Sequence, residues 1–171
     1  RATGEVRCWG SNSVLGAPTF DAGTAIAAAD EHTCAVQADG HVACRGSNLH
    51  GQIGDGTTTT ASDPVTVSGL DDVVAIAGAA QRTCAVRAGG EVACWGADRI
   101  DPATGARADA LVPMAVPGVA DAGSIVDAGT HACVLRDDAT VTCWGVAYDG
   151  QTGDGRVLRS SVPLAVVFPA N

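Results

Sequence analysis

Lysine and arginine are scarce, 10 against 19 aspartates and glutamates, which leaves a formal net charge of −9. Proteins that grip duplex nucleic acid draw much of their affinity from neutralising phosphates with such cations. This surface on average repels nucleic acid and anionic membranes, and no basic run offers a local exception. Long apolar stretches are missing too: the longest run without charge or strong polarity covers residues 73–80, too short to span a bilayer as a helix. The seven prolines follow no triplet period, which excludes a collagen-like chain. Charged residues make up only 17% against 46% hydrophobic, so disorder is excluded as well. No window sustains a helical period, and neither Gly-x-Ser-x-Gly nor His-Glu-x-x-His occurs. No cofactor is expected, and the chain is not expected to be an enzyme.

What the chain has in quantity is glycine, 22 residues, and a repeat. Four segments align on one pattern: Gly4-Glu5-Val6-Arg7-Cys8-Trp9-Gly10, Gly40-His41-Val42-Ala43-Cys44-Arg45-Gly46, Gly90-Glu91-Val92-Ala93-Cys94-Trp95-Gly96 and Ala139-Thr140-Val141-Thr142-Cys143-Trp144-Gly145. Upstream of the last three stand Thr33-Cys34-Ala35-Val36, Thr83-Cys84-Ala85-Val86 and Ala132-Cys133-Val134-Leu135. Each unit adds a Pro-Val-like run (Pro64-Val65, Pro113-Met114, Pro163-Leu164) and a small apolar run such as Val73-Val74-Ala75-Ile76. Four short β-like runs between Gly, Asp and Pro punctuation, recurring about every 50 residues, predict an all-β chain of propeller blades. The expected units are 17–62, 63–112 and 113–160, with partial units at 1–16 and 161–171. They form one region, which the pattern suggests is cut at both ends.

Six of the seven cysteines fall into pairs ten residues apart: Cys34 with Cys44, Cys84 with Cys94, and Cys133 with Cys143. Placing Cys34 opposite Cys44 centres a hairpin on Asp39, with Gly40 where a three-residue loop needs a left-handed residue. Gly90 fits the same place, but Ala139 does not, so the third turn is expected to be strained or differently built. In this register Cys34, Val36, Val42 and Cys44 share one face, expected to be buried. Directly opposed cysteines suit disulfides. Reduced cysteines serving as small core residues are the alternative, whereas zinc is disfavoured by the lack of any Cys-x-x-Cys knuckle. Cys8 is left unpaired. Paired cysteines imply an oxidising location, extracellular or in the cell envelope.

His-Thr-Cys-Ala-Val, then Gly-x-Val-x-Cys-Trp-Gly, then Gly51-Gln52-Ile53-Gly54-Asp55-Gly56-Thr57, then Pro64-Val65-x-Val67 resembles the RCC1 (regulator of chromosome condensation) repeat. Its cysteine-rich form is similar to secreted bacterial members. The resemblance covers some three and a half repeats and implies a seven-bladed propeller or a near relative, of which this chain supplies about half. Departures are Arg45 in place of a tryptophan and the loss of the glycine-rich loop between Gly96 and Pro113. Family members include a nucleotide-exchange factor for a small GTPase, chromatin binders and a bacterial enzyme inhibitor, whose loop residues do not map onto this chain.

Candidate chemistry reads mostly as architecture. The glycines of Gly51-x-x-Gly54-x-Gly56 lack the Lys-Ser/Thr of a phosphate loop and suit blade turns. Asp55 and Asp154 bring too few carboxylates for calcium and suit turn capping. His32 and His131, each two residues before a cysteine, suit buried hydrogen bonding. Trp9, Trp95 and Trp144 recur at one position, as blade-packing residues would. The expected function is a scaffold that binds a protein through loops: first residues 97–112, with Arg99, Ile100 and Arg107, then residues 49–61, with Leu49 and His50. The alternatives are a regulatory domain of the GTPase nucleotide-exchange type and the propeller part of a larger enzyme. Open propeller edges also raise the prospect of self-association.

Overall fold

The computed structural model describes residues 6–8, 20, 23–100, 107–146, 148–155 and 160–167. Twelve strands form three four-stranded antiparallel sheets, each a simple meander. The first holds β1 (Gly23–Ala28), β2 (His32–Gln37), β3 (Val42–Gly46) and β4 (Ala61–Thr66). The second holds β5 (Val73–Ala79), β6 (Arg82–Arg87), β7 (Val92–Ile100) and β8 (Arg107–Ala115). The third holds β9 (Ala122–Asp127), β10 (His131–Arg136), β11 (Val141–Gly145) and β12 (Ser160–Ala165). No helix occurs among the described residues. The Pro-Val runs close one sheet and the small apolar runs open the next, so the sheets are phase-shifted from the sequence units by about one strand.

Hairpin register follows from turn chemistry. Val36 faces Val42, and the Gln37 amide bonds to the His41 carbonyl, leaving a three-residue loop at 38–40. Gly40 and Gly90 take φ of 82° and 84° there. Ala139 takes φ of 65° in the third sheet. That turn is therefore built as the others are, with an alanine held left-handed, where a Cβ costs roughly 1–2 kcal/mol. Asp138 compensates by accepting bonds from the amide and hydroxyl of Thr140.

The three cysteine pairs face one another in this register and are joined, with Cα atoms 4.0–4.1 Å apart. Cys34, Val36, Val42 and Cys44 are buried together, as their shared face requires. The opposite face is buried as well, since Ala35 and Ala43 pack under Phe20 against Val6 and Cys8. In the first and second sheets both sides of the middle strands are thus covered.

The sheets meet through their first strands, β1 against β5 and β5 against β9, which places the inner side of the array. One core joins the forward face of the first sheet to Ile76, Ala85, Ala93 and Trp95 of the second. Another joins Cys84, Val86 and Val92 to Ile125, Val134 and Trp144 of the third. This is an incomplete β-propeller of three blades. Among the described residues nothing covers the forward face of the third sheet: Leu135 is 48% exposed, whereas Val36 and Val86 at the same place are 0%.

Candidate functional site

The two ends of each sheet differ. Short hairpins and inter-sheet connections occupy one end, whereas the β1–β2 turns and the longer β3–β4 loops share the other. At the loop end a single device recurs: the glycine two residues after the third-strand cysteine bulges at φ of 116°, 100° and 119° at Gly46, Gly96 and Gly145. A Cβ at those places would lie 2.2–2.5 Å from the carbonyls of Glu31, Gln81 and Thr130. Only glycine fits. The following amides, of Ser47, Ala97 and Val146, bond to those same carbonyls at 2.8–3.0 Å and so fix where each loop departs.

The first loop is then fastened from inside. Buried Asn48 accepts from the Ile53 amide at 2.9 Å and donates to Asp55 at 3.1 Å and to the Thr57 carbonyl at 3.0 Å. Burial by itself would raise the Asp55 pKa, but bonds from the Thr57 amide and hydroxyl and from Asn48 outweigh it and hold the carboxyl below its usual range. Asp55 therefore caps the turn, as expected of a loop aspartate.

The loop also docks on the second sheet. Trp95 donates its indole N–H to the Gln52 carbonyl at 2.9 Å, and Thr83 donates its hydroxyl to the same oxygen at 3.0 Å. The Gly56 amide bonds to the Leu111 carbonyl. His50 meets Asp109 at 2.9 Å. Trp95 is thus a packing residue between blades, which is what its recurrence in the sequence suggested.

Of the loop residues singled out from the sequence, Leu49 projects into solvent at 68% exposure and His50 is half-buried against β8. Arg99, Ile100 and Arg107 lie in strands rather than in an irregular loop: Ile100 pairs with Arg107 and Arg99 with Ala108. Residues 97–100 and 107–112 belong to two paired strands, β7 and β8, beside the neighbouring loop. The reason is that β7 and β8 keep pairing past the Gly96 bulge, where β3 ends. Residues 101–106 lie outside the described residues.

Tyr148 was missed by sequence reasoning. It is 68% exposed, as Leu49 is. Leu49, Arg99 and Tyr148 each stand five residues after the third-strand cysteine, a spacing that could have identified it. The polar groups of the first loop are used to hold backbone, while Leu49 and Tyr148 point outward.

Residues 24–52 match the family model for the regulator of chromosome condensation (RCC1) repeat. That segment carries an RCC1 repeat. No curated protein matches the chain significantly. Solved structures do. Human WBSCR16 matches with a TM-score of 0.72 at 24% identity, over 82% of this chain and 36% of its own. Yeast RCC1 (Prp20) bound to Kap60 gives 0.74 at 17%, over 95% and 42%. Prp20p of Saccharomyces cerevisiae, described with its binding to Gsp1p and histones, gives 0.73 at 19%, over 91% and 41%. The chain therefore spans about two fifths of the chains it resembles, and these likenesses establish its fold.

Proposed function

We propose that this RCC1-repeat chain belongs to a non-catalytic, protein-binding scaffold in an extracellular or cell-envelope location, with the loop end as its recognition face. The observation that carries the reading is the outward placement of Leu49 and Tyr148 at one repeat position, above loops whose backbone is held from within. Rigid display lowers the entropy lost on binding. Large apolar and aromatic side chains make the best anchors. The three disulfides favour an oxidising compartment. The uncovered forward face of the third sheet supports self-association as a second interaction.

The test is a matched pair of variants used in crosslinking capture from the source secretome. Leu49→Ser with Tyr148→Ser should lose partners that a control variant at the hairpin end, Asp39→Ser with Asp138→Ser, retains. Equal capture by both would refute the recognition face. A GTPase-exchange role is the second reading, favoured by the likeness to Prp20p, described as binding Gsp1p. It predicts faster nucleotide release from a small GTPase and function with reduced cysteines. A role as the propeller part of a larger enzyme would require an activity that depends on this region.

A further inference from the structure

We infer that the seam between the first and second sheets parts on mild acidification while the seam between the second and third holds, so that acid opens the array at one place. The two seams are built differently at the same repeat position, the residue opening the second strand. His32 stands opposite Gly46 and Arg82 opposite Gly96. His32 reaches across its seam to Thr83, with Nε2 2.7 Å from the hydroxyl. Arg82 reaches across the next seam to Asp127, making bonds of 2.6 and 2.8 Å to the two carboxylate oxygens.

Proton counting fixes the histidine tautomer. Thr83 gives its one hydroxyl hydrogen to the Gln52 carbonyl, so it can only accept from His32, and Nε2 must carry the proton. Nδ1 is then a bare lone pair, buried and without a partner. A second proton would place a cation where no acceptor receives it. Two charged groups act on the ring: Asp30 from the β1–β2 turn, and Asp127 from the end of β9, itself held by Arg82. Thr83, which meets it from β6, and Gln52, which accepts from Thr83, are neutral. Burial outweighs the two carboxylates and lowers the His32 pKa from 6.5 to about 4.

A group with a depressed pKa takes up its proton in the open state first, so falling pH drives opening. With these two values, opening becomes about 20-fold more populated at pH 5 than at pH 7. The Arg82–Asp127 contact contains no imidazole and is a charge-assisted, bidentate pair.

Oxidative footprinting of the whole chain, read by mass spectrometry, separates the seams because Trp95 is buried at the first and Trp144 at the second. Trp95 labelling should rise by up to about 20-fold between pH 7 and pH 5, with Trp144 nearly steady. His32→Gln keeps a donor for Thr83 without titrating and should abolish the rise. If that variant folds poorly, the second seam can be transplanted as His32→Arg with Gly78→Asp. Gly78 faces Thr83 as Asp127 faces Ala132, and a Cβ there meets nothing closer than 3.5 Å. A pH-independent Trp95 in the parent chain, equal rises at both tryptophans, or an undiminished rise in the variants would overturn the inference.

Discussion

Gly54 lies so close to Trp95 that a Cβ on residue 54 would sit 2.7 Å from the indole nitrogen, although the two belong to different sheets. The contact joins a turn in one blade to the core of the next, so a loop glycine carries inter-blade stability. Gly54 also has φ of 80°. Gly54→Ala should therefore cost ~2–4 kcal/mol, combining a left-handed alanine with overpacking. Gly69→Ala, at φ of 65° with no atom within 4 Å, should cost only about 1 kcal/mol. Urea midpoints of the two variants would check the difference. Equal losses would mean that the indole gives way.

The disulfides close hairpins of one size. Replacing Cys84 and Cys94 together with alanine should lower stability by about 2–3 kcal/mol in the chain-entropy model. Mass spectrometry after alkylation without reductant should find one modified cysteine per chain, Cys8. Three or more modified cysteines would contradict the pairing.

Ala139 offers a gain. Gly40 and Gly90 hold the same left-handed turn position at φ of 82° and 84°, where Ala139 takes 65°. Ala139→Gly relieves a left-handed alanine, partly offset by the freer unfolded chain, and should raise stability by ~0.5–1 kcal/mol. A lower melting temperature would show that its methyl packs productively.

Asp55 gives a pH signature distinct from that of His32. Asp55→Ala should cost about 1 kcal/mol near neutrality by removing an acceptor from buried Asn48 and Thr57. Because hydrogen bonds hold this carboxyl below its usual 3.8, its contribution is present above that value and disappears as pH falls through the lowered one. The stability curves of parent and variant should converge in strong acid. A constant gap down to pH 2 would show that charge plays no part.

Val126 and Leu135, 66% and 48% exposed on the forward face of the third sheet, mark the apolar flank. Val126→Lys with Leu135→Lys should weaken self-association in sedimentation experiments while leaving the circular dichroism unchanged. Unaltered sedimentation would move the contact elsewhere.

Local features were legible because local chemistry sets them. The ten-residue cysteine interval, the glycine ending each hairpin and the two-residue alternation fix strand register without help from the rest of the chain. The residues proposed for recognition were half legible. Leu49 and His50 follow a glycine-bounded motif, whereas Tyr148 follows Val146 and a sequence with no Asn48 equivalent, so only its cysteine spacing marks it. Residues 97–112 looked irregular because they lost the glycine motif, yet they gained strand pairing. That pairing depends on both arms together and leaves little trace in either.

The sequence by itself determined three hairpins, their disulfides and a radial repeat, since these need only neighbours within about ten residues. Tertiary structure alone decided which residues answer one another between blades: His32 to Thr83, Arg82 to Asp127, Trp95 to Gln52. Those partners stand 43 to 51 residues apart. Their meeting depends on how one twisted sheet lies on the next, a geometry set by the packing of both faces at once rather than by any single segment.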